Sequence, residues 1–196
     1  MSLNLLLRSL VLLGLLARVA SGAEVRPNVV FLLIDDLRFN ALGCMGDKIV
    51  KTPNIDRLAK EGVLFKNMFV TTAICSVSRA TYLTGQWMRR HGIVDFAKGI
   101  SDEGWRSTYP AQFRQAGFQT GFIGKYGVGN PKLTAAKAAD FDFWQGEPGQ
   151  AGRFFIEPND PTRTHKTAKM GNAALEFLGG CSAGRPFSLC VSFNAV

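Results

Sequence analysis

The chain has 196 residues, with 23 Lys and Arg against 15 Asp and Glu, a formal charge of +8, and 46% hydrophobic residues. That is enough apolar chain for one domain with a real core, and neither an internal repeat nor a low-complexity segment is present. The basic residues are scattered rather than run together, which describes a solvated surface and not a nucleic-acid-binding stripe.

Residues 1–23 read as a removable secretory signal peptide. They carry an early Arg8, an apolar run over residues 10–17, and then Ala20, Ser21, Gly22 and Ala23, with cleavage after Ala23. A membrane anchor is the competing reading, but Arg8 and Arg18 cut the apolar run short of the roughly 20 residues a spanning helix needs. Cleavage leaves residues 24–196 with a formal charge of +6, exported to a periplasmic, secreted or lysosome-like compartment without stable membrane insertion. The four cysteines, Cys44, Cys75, Cys181 and Cys190, would in such a compartment form two disulfides in one of three connectivities, unless Cys75 serves another purpose.

Along the mature chain the elements alternate between strand and helix. Residues 29–34, VVFLLI, form a continuous apolar run ending in Asp35 and Asp36, the pattern of a strand buried on both faces. A helix follows from Thr52 as N-cap and Pro53 in its first turn to Gly62, and residues 63–70 are expected to return as a strand. A second helix begins near Ser76 and runs to Leu83, and a third spans residues 108–116 up to Gly117. Residues 118–124 then form an apolar strand ending at Lys125. Between Gly127 and Asp160 the Gly, Pro, Asn and aromatic residues predict a long surface excursion, with Trp144 either stacking on a sugar ring or packing the loop down. Residues 165–178 resume a helical pattern, and residues 187–194 read as an alternating strand. The order predicts an α/β sheet with parallel members. A core strand with nothing after it implies a truncated chain, with an unpaired sheet edge at residues 187–194 and residues 24–196 incomplete on their own.

Ligands in open α/β sheets gather beyond the carboxyl ends of the strands, where Asp35, Asp36 and Lys125 fall. Two adjacent carboxylates there repel each other unless a cation holds them, and a hard divalent metal is the natural partner; the alternative is that one caps the following loop. Cys75 lies at a helix N-terminus, where free N–H groups favour an anion, and Arg79 can reach back to the same spot. The alternative for Cys75 is a structural disulfide.

Five segments carry a resemblance: RPNVVFLLIDD at 26–36, TPNIDRLAKEGVLFKNMF at 52–69, CSVSRATYLTG at 75–85, QAGFQTGFIGK at 115–125 and RPFSLCVSFNA at 185–195. In this order the chain resembles the N-terminal part of a type I, formylglycine-dependent sulfatase of the alkaline-phosphatase-like superfamily. The resemblance implies a sandwich with a mostly parallel or mixed central sheet flanked by helices. It implies that Cys75 is converted by a formylglycine-generating enzyme to formylglycine, whose hydrated form attacks the sulfur of a sulfate ester, with a sulfated polysaccharide as the expected substrate. By the same resemblance, Asp35, Asp36 and residue 75 bind one calcium ion, Arg79 stabilises the nucleophile, and Lys125 contacts it and the sulfate.

The chain departs from the family pattern at Val77, where the family has Pro or Ala, and at Gly127, where it has a histidine. The family's later Asp-Asn metal pair, second lysine and second histidine would fall beyond residue 196. Three other readings remain. A metal-dependent phosphoesterase of the same superfamily would carry Ser or Thr as nucleophile. A degenerate exported binder of sulfated glycans would keep the fold without the chemistry, and a disulfide-stapled secreted domain would use Cys75 structurally.

Overall fold

The computed structural model describes residues 26–149, 154 and 164–194; the predicted signal peptide lies outside them. Four strands form one sheet: β1 (Val29–Ile34), β2 (Gln119–Lys125), β3 (Phe143–Glu147) and β4 (Phe187–Phe193). Their order is β1-β4-β2-β3 and every pairing among them is parallel. The helices are α1 (Pro53–Glu61), α2 (Cys75–Thr84), α3 (Met88–His91), α4 (Asp102–Arg106), α5 (Tyr109–Gln115), α6 (Pro131–Ala136) and α7 (Lys166–Gly179).

Helices cover both faces of the sheet. On one face Phe122 of β2 and Cys190 of β4 pack with Ala80 and Leu83 of α2 and with Trp105 of α4. On the other, Ile123, Leu189 and Val191 pack against Met170, Ala173 and Phe177 of α7. Each such side chain taken out of water contributes about 1.5–3 kcal/mol, so these two layers hold the sheet between them.

The last strand in the chain is the inner one. β4 lies between β1 and β2, so its alternating FSLCVSF sequence is buried almost throughout, with Ser188 at 4% and Ser192 at 0% exposure. The predicted unpaired edge at residues 187–194 is therefore absent, and β1 and β3 are the margins of this sheet. As a margin, β1 is not buried on both faces as its sequence predicts. Phe31 packs on Tyr82 of α2 with ring centroids 5.1 Å apart, whereas Val30 and Leu32 are 51% and 54% exposed because α7 lies over β2 and β4.

Four further expectations are corrected. Residues 63–70 form no strand, since a strand exists only where another pairs with it; Val63, Phe65, Met68 and Phe69 are exposed. The segment after Gly127 contains α6, a 3-10 turn at Lys137–Asp140 and β3, because Trp144 is drawn to within 5.2 Å of both Phe122 and Phe141. All four cysteines are free thiols, as the fold sends Cys44 to a 3-10 turn, Cys75 to the head of α2, Cys181 to the end of α7 and Cys190 to the core. Thr52 occupies its N-cap position, but its hydroxyl donates to Asp56 at 2.8 Å and accepts from the Gly43 N–H at 2.9 Å instead of capping α1.

Gly124 permits the close approach of β2 to β4. Its φ is +87°, and a Cβ there would fall 2.3 Å from the Ser192 carbonyl oxygen, whereas at Gly171 in α7 it would meet nothing within 4 Å. Gly124→Ala is expected to lower stability by about 2 kcal/mol or more. Gly171→Ala is expected to raise it by about 0.5–1 kcal/mol. Equilibrium urea unfolding measures both, and a Gly124→Ala variant as stable as the parent would contradict the close approach.

Candidate active site

Parallel β1, β4 and β2 deliver their carboxyl ends to one edge of the sheet, where Leu33, Ser192 and Gly124 stand in register. Asp35 follows β1 directly, its N–H donating to the Phe193 carbonyl at 3.1 Å. Lys125 closes β2. Cys75 opens α2 at the same edge, beside a cavity of about 250 Å³ lined by Asp35, Asp36, Cys75, Ser78, Arg79 and Tyr82, among others.

Asp35 connects the site. Its Oδ2 accepts a hydrogen bond from Lys125 Nζ and lies 3.9 Å from Cys75 Sγ, and its Oδ1 lies 3.7 Å from Arg79 Nη2. The structure thus brings Asp35, Cys75, Arg79 and Lys125 together, although Lys125 stands behind Asp35 and does not line the cavity. Lys125 is 0% and Arg79 1% exposed, so two cations have been taken out of water against one nearby carboxylate. Backbone and hydroxyl acceptors offset part of that cost: Arg79 Nη1 donates to the Lys125 carbonyl and, at 2.6 Å, to Ser192 Oγ. Arg79 Nη2 has no hydrogen-bond partner among the described residues. A buried cationic donor without an acceptor, at the head of a helix, suits an anionic ligand oxygen.

The protein's own cations beside Asp35 are Lys125 and Arg79. Asp36 differs from its neighbour. It is exposed, its backbone lies in the left-handed region at φ +58°, and its carboxylate neither caps the following loop nor has any other partner among the described residues. Asp36 and the outer face of Asp35 are hard oxygen donors of the right kind for a divalent cation. They are few, because no group of three or more His, Cys, Asp or Glu side chains arranged to hold a metal occurs among the described residues.

The remaining neighbours have structural work. Burial pushes the Tyr82 phenol far above its usual range, so it stays protonated in the cavity wall. His91 is turned away. Its Nδ1 accepts from the Ile93 N–H at 3.1 Å, which leaves Nε2 to pair with Thr81 Oγ1 at 3.2 Å, and burial lowers its pKa. Among the described residues no side chain stands in for the absent histidine at Gly127. With φ at +64°, a Cβ there would lie 2.9 Å from Arg79 Cδ and 3.3 Å from Lys125 Cε, so the two cationic stems fill that space. Val77, the other departure, is 0% exposed inside α2 and packs in the core without disturbing the helix. Sequence reasoning missed Ser192; nothing in FSLCVSF distinguishes it from the equally buried Ser188.

Residues 27–196 match the family described as Sulfatase. The chain belongs to the sulfatase family. It is 29% identical over 171 residues to an N-acetylglucosamine-6-O-sulfatase of Bacteroides thetaiotaomicron, covering 84% of this chain and 29% of that protein. It is 35% identical over 158 residues to the iduronate 2-sulfatase of Homo sapiens, covering 72% of this chain and 27% of that protein. A solved structure in complex with D-glucosamine-2-N,6-O-disulfate superimposes with a TM-score of 0.69 at 28% identity, over 85% of this chain and 34% of that one. The chain thus spans less than a third of the length of these curated relatives.

Asp35→Asn would leave buried Lys125 without a counter-charge. The expected loss is about 3–5 kcal/mol of stability, with much of it recovered in the Asp35→Asn, Lys125→Met double variant. Chemical denaturation of the three proteins checks this, and a single variant as stable as the parent would show that Asp35 does not neutralise Lys125.

Proposed function

We propose that this chain serves an exported sulfuric ester hydrolase in which residue 75 is the nucleophile and the substrate is a sulfated saccharide. The observation that supports this best is the placement of Cys75 at the head of α2, 3.9 Å from Asp35 and beside a cavity lined in part by Arg79, whose Nη2 has no hydrogen-bond partner among the described residues. Relatives whose names specify sulfated sugars favour a saccharide substrate.

Oxidised by a formylglycine-generating enzyme, residue 75 would supply a hydrated aldehyde hydroxyl where a thiol now stands. Arg79 then holds positive charge, fixed in place before the reaction, beside the sulfate group as charge redistributes over its oxygens, with the charge of Lys125 behind Asp35. Asp35 keeps both cations oriented, and is close enough to residue 75 to take a proton from its hydroxyl. Asp36 and the free face of Asp35 would hold a calcium ion, which when bound polarises the sulfate oxygens and favours ionisation of the nucleophile. Export rests on residues 1–23, and no helix among the described residues is long and apolar enough to cross a membrane.

Co-expressed with the cysteine-oxidising enzyme, the peptide containing residue 75 is expected to react with a hydrazide probe in the parent but not in Cys75→Ala, whereas residues 24–196 alone are expected to hydrolyse no aryl sulfate and a chain extended beyond residue 196 is expected to do so. Intact thiol at residue 75 together with retained sulfated-glycan binding would establish the degenerate binder instead.

Asp36→Asn is the clean probe of the cation, because Asp36 carries no internal ion pair. Calcium affinity measured by titration calorimetry should fall on the order of tenfold or more while thermal stability without calcium is kept. Unchanged calcium affinity would remove Asp36 from the site.

A further inference from the structure

We propose that Ser192 is a positioning residue whose hydroxyl aims Arg79, keeping guanidinium Nη2 uncommitted beside the cavity that Arg79 helps to line, where a substrate sulfate would bind. The identity of that anion rests on the sulfatase reading above; the aiming itself does not.

Three groups close a ring at the carboxyl edge of the sheet. Arg79 Nη1 donates one hydrogen to the Lys125 carbonyl and the other to Ser192 Oγ at 2.6 Å, and Ser192 donates its own hydrogen to the same Lys125 carbonyl at 2.8 Å. An Nη group carries two hydrogens, so Nη1 is saturated. The guanidinium is planar, and fixing Nη1 from two directions fixes where Nη2 points. Nη2 is left 3.7 Å from Asp35 Oδ1, too far for a hydrogen bond, and without another partner among the described residues.

Ser192 is the adjustable member of that ring. The Lys125 carbonyl belongs to the backbone of β2 and cannot turn, whereas the Ser192 hydroxyl supplies the second acceptor and donates back to the first. All three residues are buried, Lys125 and Ser192 at 0% and Arg79 at 1% exposure, so water cannot substitute for a lost acceptor. Gly127 confines the arginine from the opposite side, since a Cβ there would lie 2.9 Å from Arg79 Cδ. Without the Ser192 oxygen, Nη1 would have a free hydrogen, and the guanidinium could rotate to share its donors with Asp35. The donor offered to the ligand would then be spent inside the protein.

Ser188 is the internal control. It lies on the same strand, is 4% exposed, and pairs with Val29 and Thr120 at the other end of β4, away from the ring. Ser192→Ala and the near-isosteric Ser192→Cys, which guards against loss of folding, are compared with Ser188→Ala and the parent. The readouts are the ¹⁵N side-chain resonances of Arg79 and the affinity for inorganic sulfate by titration calorimetry. In the parent and in Ser188→Ala, the Arg79 Nη resonances are expected to be separate and slowly exchanging. In both Ser192 variants they are expected to merge, with sulfate affinity lowered on the order of tenfold. Arg79 resonances in Ser192→Cys like those of the parent would overturn the proposal, as would merged resonances with undiminished sulfate affinity. A parent protein that binds no sulfate would sink the sulfatase reading alone, and the resonances would then decide the positioning role.

Discussion

Asp35 stands between two cations that the fold has withdrawn from water, Lys125 at 0% exposure and Arg79 at 1%. Burying a charge is tolerable only where an opposite charge and hydrogen-bond acceptors meet it, and one carboxylate cannot satisfy two cationic heads. Lys125 takes Asp35 Oδ2; Arg79 is left to the Lys125 carbonyl and Ser192, with one nitrogen over. The resulting cluster is short of acceptors and faces a cavity at a helix N-terminus. Such an arrangement suits an anion.

The fold serves that cluster by threading β4 between β1 and β2. Asp35, Ser192 and Lys125 come from three strands that are adjacent in the sheet although far apart in the chain, and parallel pairing sends all three to the same edge. The cores above and below differ in chemistry. Trp105, Phe122, Tyr126 and Phe141 build the face that carries α2, while Met170, Phe177 and aliphatic side chains fill the face under α7. α2 is therefore seated firmly, and its first residue, Cys75, inherits that rigidity. β1, covered on one face only and paired on one side, is the least protected strand of the sheet.

The departures from the family pattern have different physical consequences. Val77 is absorbed into the core of α2, where a β-branched side chain has room. Gly127 removes a side chain from the site, and the stems of Arg79 and Lys125 occupy the space beside it.

Much of the site was legible in the chain. A run of apolar residues ending in Asp35 and Asp36, a cysteine heading a helical stretch with Arg79 one turn on, and a strand ending at Lys125 are local patterns, set by propensity, capping and periodicity. The helices at residues 53–61, 75–84, 109–115 and 166–179 followed for the same reason. Pairing decided the rest. Residues 63–70 look like a strand but find no partner, residues 143–147 look irregular but find β2, and VVFLLI reads as doubly buried yet lies at a margin. Only the tertiary structure could show that the last strand is the inner one, that Asp35 is neutralised from within, and that Ser192 and not Ser188 meets Arg79. Each depends on which residues the sheet brings side by side, and strand order is a non-local property that no window of sequence contains.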